Sequence, residues 1–111
     1  MSSLEAGYRE KMLKSCATFL SRWVDTDALM LELTLSIKTL SIVLTEEGRS
    51  GNLVVFCGDP DWISGPVRWQ GARIEVIGDG RPDGGFVVRD PAVGLEVRCG
   101  RVEIKENVRR P

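Results

Sequence analysis

The chain of 111 residues contains no histidine. Histidine is the commonest general base near neutral pH and the commonest metal ligand in proteins. Its absence excludes Ser-His-Asp and Cys-His arrangements within this chain, and it leaves the cysteines without the group that usually activates a thiol. We therefore expect a protein that is not an enzyme, uses no cofactor and holds no metal ion.

Cysteine is scarce, and neither sign of charge is in excess. Cys16, Cys57 and Cys99 are widely spaced and form no CxxC or zinc-type pattern. Each lies in an apolar stretch, which favours buried, reduced thiols in a cytosolic protein; a disulfide between two of them is the alternative if the protein is exported. The net charge of −1 disfavours nucleic acid as the main partner, because duplex binding depends on neutralising phosphates.

Long apolar runs are also lacking. No stretch approaches the roughly 18 consecutive apolar residues that span a membrane. Residues 1–8 lack the basic segment and apolar run of a secretion signal. We therefore expect a cytoplasmic protein that does not associate with a membrane.

What is present begins with the pattern of an amphipathic helix over residues 3–24. Ser2 and Glu5 have the spacing of a capping box, which satisfies free backbone N–H groups where a helix starts. Apolar residues then recur at helical spacing and form one stripe. The stripe consists of Leu4, Tyr8, Met12, Leu13, Cys16, Phe19, Leu20 and Trp23. We expect it to pack on the sheet that follows; contact with a partner is the alternative.

Residues 29–44 alternate between apolar and polar, which is typical of a strand with one buried face. Apolar residues occupy odd positions from Leu29 to Ile37 and even positions from Leu40 to Leu44. The odd set is expected to face the core. A one-residue shift reverses every side chain, so either a hairpin turn near residues 37–39 or a β-bulge lies between the two sets. We favour the hairpin.

Later strands are predicted by apolar runs between glycine-rich loops. Leu53–Cys57 is continuously apolar, as expected of a central strand buried on both faces. Glycine marks a change of phase in strand 67–77 and in a long final strand, where a bend is favoured over a hairpin. The fold class is therefore α+β in one domain of residues 1–111. The helix packs on a curved, mostly antiparallel sheet of six or seven strands over residues 28–106, either open or partly closed into a barrel or roll, and 107–111 is a tail.

The least regular stretch, residues 58–66, has two prolines, two glycines and two aspartates, which predict a loop. Trp62 and Ile63 are unusual there, because loop tips are normally polar. Trp62 either folds back on the edge of the sheet or is an exposed anchor, a residue type enriched in interface hot spots.

Over about residues 25–106, an aspartate precedes a hairpin, an apolar strand follows, and a tryptophan precedes a strand with an isoleucine. These features are Asp27, Leu29–Leu35, Leu53–Phe56, Trp69, Ile74 and the terminal strand Leu95–Ile104. The order resembles small bacterial single-domain β proteins of the polymorphic-toxin immunity type and their uncharacterised relatives, although the N-terminal helix is not part of that pattern. The resemblance implies a cytosolic inhibitor that binds one toxin and has no catalytic residues.

We therefore predict a non-enzymatic protein-binding module, of the immunity-inhibitor kind, that uses the 58–69 loop. Its predicted contact residues are Asp59, Asp61, Trp62, Ile63, Arg68 and Trp69. The tryptophans would supply buried area, the aspartates would complement a basic partner, and Arg68 would be a further anchor.

Three alternatives stay open at this point. A barrel or roll could bind a small molecule in a pocket lined by Phe56, Trp69 and Phe86. The chain could instead be a subunit of a homodimer or larger homo-oligomer, paired through the helix stripe or a sheet edge. An enzyme would need a carboxylate pair or a cysteine nucleophile. The candidates are Asp59, Asp61, Asp79, Asp83, Asp90, Cys57 and Cys99.

Overall fold

The computed structural model describes residues 3–34, 38–81 and 84–108 and, within these ranges, every side chain except those of residues 3–6 and 32–34. The described residues form one α-helix, nine strands and one 3-10 turn. They are α1 (Ser3–Ser21), β1 (Thr26–Thr34), β2 (Thr39–Thr45), β3 (Asn52–Gly58), β4 (Trp62–Ser64), β5 (Arg68–Ala72), β6 (Glu75–Gly78), β7 (Phe86–Asp90), the 3-10 turn (Pro91–Val93), β8 (Leu95–Cys99) and β9 (Arg101–Val108).

The strands form two antiparallel sheets. The five-stranded sheet has the order β5-β1-β2-β3-β9, and the four-stranded sheet has the order β4-β8-β7-β6. The predicted α+β class is confirmed, but nine strands replace the six or seven expected. Within the described residues each sheet ends in two edge strands, so the sheets do not close into a barrel.

The additional strands arise because the chain repeatedly changes sheet. The stretch 67–77, expected as one strand, is β5 in the five-stranded sheet and β6 in the four-stranded sheet. Residues 62–64, expected in a loop, form β4. The expected long final strand is divided at Gly100, where the chain passes from β8 in one sheet to β9 in the other.

The helix packs on the sheets as the apolar stripe predicted. Cys16, Leu20 and Trp23 are buried in the core, and α1 contacts β6 and β9. Tyr8, also assigned to the stripe, is 65% exposed. The helix ends at Ser21 rather than at residue 24, because tight hydrogen bonds form a turn there and Asp25 adopts a left-handed conformation (φ 62°) that leads into β1.

One hydrophobic core joins the helix and both sheets. The even positions of β2 behave as predicted, since Leu40, Ile42 and Leu44 are at most 1% exposed. Alternate residues of β3 and the inner faces of β7 and β8 complete this core. They are Leu53, Val55, Cys57, Phe86, Val88, Leu95, Val97 and Cys99.

The predicted burial of the odd positions in β1 is wrong for its first half. Ala28 is buried and Met30 packs against the core, whereas Leu31 is 61% exposed. The pairing of β1 with β2 shifts between Met30 and Glu32, which makes Leu31 the extra residue of a β-bulge. The hairpin and a bulge are therefore both present, and the bulge lies earlier than the sequence suggested.

A polar cluster fastens the end of the helix to the last strand. The Nε1 of Trp23 donates to Glu106 at 2.8 Å, and the Arg22 guanidinium donates to both oxygens of the same carboxylate at 2.9 and 3.0 Å. Arg49 lies 4.1 Å from the centre of the Trp23 ring. The hydrogen bonds from Arg22, and then Trp23, lower the pKa of Glu106, so the carboxylate is ionised at neutral pH.

A buried carboxylate connects the two sheets. Asp90, at the end of β7, is 1% exposed, and its Oδ2 accepts hydrogen bonds from the Trp69 Nε1 and the Arg73 backbone N–H, both at 2.9 Å. Trp69 lies in β5, in the other sheet, and Arg73 lies in the link between the sheets. A buried carboxylate must keep such donors, because an unpaired buried acceptor is costly.

Several predictions fall on residues outside the described ranges. These are Ser2 of the capping box, Ile37 of the hairpin turn and residues 109–111 of the tail. Asn107 and Val108, also assigned to the tail, end strand β9. In the described part of the chain, no helix combines the length and apolar character needed to cross a membrane.

We expect Trp69→Phe to lower the free energy of unfolding by about 1–3 kcal/mol, because it removes one donor to the buried Asp90 carboxylate. Urea unfolding at neutral pH measures the change. Trp62→Phe is the matched control, since Trp62 is 56% exposed and an exposed substitution usually changes stability by less than about 0.5 kcal/mol. Equal effects of the two substitutions would contradict the importance of the Trp69–Asp90 hydrogen bond.

Candidate functional site

The segment that leads into β4 is held against two other parts of the chain. The N–H of Asp59 donates to the Lys38 carbonyl at 2.7 Å, and the N–H of Asp61 donates to the Arg98 carbonyl at 2.8 Å. Asp59 has a left-handed backbone (φ 51°), which aspartate tolerates better than most residues. These contacts set the start of β4 beside β8.

Strand β4 is a short edge strand with exposed apolar side chains. It has three residues, and Trp62 pairs with Arg98 while Ile63 pairs with Val97 on β8. Trp62 is 56% exposed and Ile63 is 38% exposed. Of the two alternatives that the sequence left open, the structure has the exposed Trp62.

Trp62 is the first member of a row that crosses the outer face of the four-stranded sheet. Directly opposed residues on neighbouring strands share a face, and the registers connect Trp62 to Arg98, Arg98 to Val87, and Val87 to Ile77. The adjacent residues Val97 and Val88 are in the core, so this row faces away from it. We call Trp62, Arg98, Val87 and Ile77 the Trp62 row.

The Trp62 row has an uneven exposure. Val87 is only 6% exposed and Ile77 is partly buried, whereas Arg98 and Trp62 at the open edge are exposed. The row beside it on the same face is charged and contains Glu75, Arg89 and Glu96, with ion pairs between Arg89 and Glu75 and between Arg98 and Glu96. The exposed part of the row is therefore Trp62 with Arg98, and a charged row lies beside it.

The two aspartates before β4 lie near arginines. The Arg101 Nε is 3.5 Å from an Asp59 oxygen, and an Arg81 nitrogen is 3.9 Å from an Asp61 oxygen. All four side chains are more than half exposed. This end of the site therefore presents both signs of charge, because each predicted contact aspartate lies near an arginine that was not among the predicted contact residues.

Arg81 is itself held by a more buried aspartate. Asp79 has a side chain that is 1% exposed, and it accepts hydrogen bonds from the backbone N–H groups of Arg81 and Gly85 at 2.9 and 2.8 Å and from the Arg81 guanidinium. The Arg81 N–H, with the other two donors, lowers the pKa of Asp79 to about 2, against the opposite effect of burial. Asp79 thus fixes the loop that places Arg81 near Asp61.

The six predicted contact residues divide between two places. Asp59, Asp61, Trp62 and Ile63 lie together around β4. Trp69 is only 7% exposed, because its indole is committed to Asp90 in the core, and its predicted role as surface area for a partner is therefore wrong.

The sixth residue, Arg68, is exposed but lies elsewhere. It is on β5 opposite Leu29, in the five-stranded sheet rather than beside Trp62. Conversely, no pattern in the sequence joins Arg98, Val87 and Ile77 to Trp62. Only the strand registers bring them together, and no local pattern encodes a register between strands so far apart along the chain.

The predicted aromatic pocket does not form. Phe56 alternates with the core residues Val55 and Cys57, so it lies on the outer face of the five-stranded sheet. Phe86 is in the core beneath the Arg9 guanidinium, which is 5.3 Å from the ring centre. Phe56 therefore shares no cavity with Phe86 and the buried Trp69.

The acidic residues considered for catalysis are separately engaged. Asp90 is bound to Trp69 and Arg73, Asp79 to Arg81 and Gly85, and Asp83 lies outside the described residues. Among the residues that the structure describes, no three cysteine, aspartate or glutamate side chains are grouped as metal ligands.

Comparison with known proteins adds nothing to this geometry. The sequence matches no protein-family model and no curated protein, and the structure matches no solved structure.

We expect Asp79→Asn to destabilise the protein at neutral pH and to matter progressively less as the pH falls. The folded pKa of about 2 lies below the ordinary value of 3.8, so the ionised carboxylate stabilises the fold above about pH 4. That stabilisation is lost as the pH drops from about 4 to 2. Urea unfolding of both proteins at several pH values in this range measures the change.

Asp61→Asn is the matched control for Asp79→Asn, because its carboxylate is exposed and its nearest arginine nitrogen is at 3.9 Å. It should follow the wild-type stability curve. A constant difference between Asp79→Asn and the wild type from pH 7 to pH 2 would show that the Asp79 charge does not contribute as argued.

Proposed function

We propose that this chain is a non-enzymatic protein-binding module whose partner docks on the Trp62 row. The observation that carries the proposal is the 56% exposure of Trp62 at the open edge of the row, directly opposite the exposed Arg98. Exposed tryptophan offers a large contact area with few rotatable bonds, and truncating it is among the costliest changes at protein interfaces.

Arg98 strengthens the case for a protein partner. It lies between Trp62 and Val87 in the row, and its side chain is about half exposed (51%). Arginine is the other residue, with tryptophan and tyrosine, that is enriched in hot spots. A partner that covers Trp62 would also bury part of the Arg98–Glu96 ion pair, so an acceptor on the partner for the guanidinium N–H groups that Glu96 does not bind would favour docking.

The edge of β4 favours recognition through side chains rather than addition of a partner strand. Pairing is limited to three residues, and Pro60 and Pro66 stand on either side of them. Proline has no N–H to donate to a ladder, and short edges with nearby prolines protect sheets from edge-to-edge association. The partner would therefore use shape and charge more than backbone hydrogen bonds.

The charges around β4 fit a partner with basic groups at its rim. The Asp59–Arg101 and Asp61–Arg81 pairs are exposed and separated by 3.5 and 3.9 Å. Exposed pairs of this kind contribute at most about 1 kcal/mol, so a partner's lysine or arginine can replace the internal arginine at little cost. If the resemblance to immunity proteins holds, that partner is one toxin met in the cytoplasm.

We expect Trp62→Ala to lower the affinity for the partner by about 30-fold or more, which corresponds to the roughly 2 kcal/mol that defines a hot spot. Affinity capture from a lysate of the source organism would supply the partner, and titration with the purified partner would measure the affinity. A folded variant is shown by an unchanged urea transition.

Tyr8→Ala is the matched control, because Tyr8 is an aromatic residue of similar exposure (65%) on α1. It should change the affinity by no more than about twofold. Equal affinities of the wild type and Trp62→Ala would refute the proposed site. If the only protein captured is a second copy of this chain, and the molecular mass in solution rises with concentration, the chain is a subunit of a homo-oligomer rather than a module that binds another protein.

A further inference from the structure

Two cysteines from different sheets meet in the core. Cys57 is next to the last residue of β3 in the five-stranded sheet, and Cys99 ends β8 in the four-stranded sheet. They are 0% and 2% exposed and belong to the same core cluster. The proposed binding surface uses neither of them.

The backbone holds the two cysteines beside each other. The residues that follow them are hydrogen-bonded, since the Gly100 N–H donates to the Gly58 carbonyl at 2.9 Å. A side chain at Gly58 would crowd Arg101, and one at Gly85 would overlap the carbonyl oxygen of Cys99. Both cysteines lie in the packed core, so a bulky group attached to either sulfur would have to displace core side chains.

The Cys99 S–H donates to the Phe86 carbonyl oxygen, which is 3.8 Å from the sulfur. A hydrogen bond shared with Cys99, together with burial, raises the pKa of Cys57, and the same interaction lowers the pKa of Cys99, because a donated S–H stabilises a thiolate. Of the two thiols, Cys99 therefore ionises more readily.

We propose that Cys57 and Cys99 are a modification site, oxidised by a small peroxide to a reversible disulfide that joins the two sheets. The Cys99 thiolate attacks one peroxide oxygen and the O–O bond breaks, which gives a sulfenic acid at Cys99 and, after protonation, water. The Cys57 sulfur then forms the S–S bond as the S–O bond breaks, and its proton leaves with a second water. Sulfur is oxidised, the peroxide is reduced, and a dithiol restores both thiols by exchange.

Burial determines which oxidation product forms. Hydrogen peroxide is small enough to reach a core thiol during local opening, whereas a glutathione adduct on a fully buried thiol would have to displace core side chains. The second thiol lies beside the first, since the residues that follow the two cysteines are hydrogen-bonded and both cysteines belong to one core cluster, so the sulfenic acid is resolved within the core rather than oxidised further.

The test treats the reduced, full-length protein with hydrogen peroxide and follows its intact mass, its peptide map and its Tm. We expect the loss of two hydrogen atoms, one cross-linked peptide that contains Cys57 and Cys99, and a Tm increase on the order of 10 °C, because the bond closes a loop of about 40 residues. Dithiothreitol should reverse all three changes.

Cys16→Ser is the matched control, because it removes the third buried cysteine and leaves the pair. It should react as the wild type does, and Cys57→Ala and Cys99→Ala should not lose the two hydrogen atoms. The mass, peptide map and Tm of the oxidised wild-type protein decide the test, so the proposal can be refuted even if one of the cysteine variants fails to fold. Addition of oxygen atoms without cross-linking, a disulfide that includes Cys16, a dimer linked between chains, or thiols that stay reduced until the protein is denatured would each overturn it.

Discussion

The hydrogen bond between the buried Asp90 carboxylate and the Trp69 indole determines much of this fold. A buried carboxylate without donors would be strongly unfavourable, so β7 and β5 must approach each other although they belong to different sheets. The position of Trp69 then sets its neighbour, because the register of β5 with β1 places Ala28 opposite it. A small residue beside the large indole lets both lie on the inner face.

That register explains why the first half of β1 turns its leucines outward. With Ala28 and Met30 on the inner face, Leu29 and Leu31 are left for the outer face. The bulge at Leu31 then shifts the phase, so that Leu33 comes opposite Leu40, a core position of β2. The contact with Trp69 therefore determines which residues of β1 face the core, and the bulge brings the second half of β1 into register with the core positions of β2.

The sequence predicts those elements whose local pattern agrees with the final packing. Three elements are of this kind: the helix, the even positions of β2 and the apolar β3. An exposed Trp62 was one of the two alternatives that the sequence left open. The sequence fails to predict the packing where a distant contact decides it. Trp69 is an example, because the local pattern of the predicted strand 67–77 contains no sign of the Asp90 carboxylate. The members of the Trp62 row other than Trp62 itself could not be found either, because they depend on three strand registers.

Strand β8 links the proposed binding surface to the thiol pair. Neighbouring residues of a strand point to opposite faces, so Arg98 faces outward opposite Trp62 while Cys99, the next residue, faces the core beside Cys57. A bond at Cys99 would restrain the backbone that positions Arg98. If a partner binds β8 best in this arrangement, thermodynamic linkage requires that the cross-link favour the partner and that the partner favour the cross-link to the same degree. A partner that needs β8 to move would give the opposite sign, so the effect of oxidation on affinity would show whether this surface binds as a rigid face.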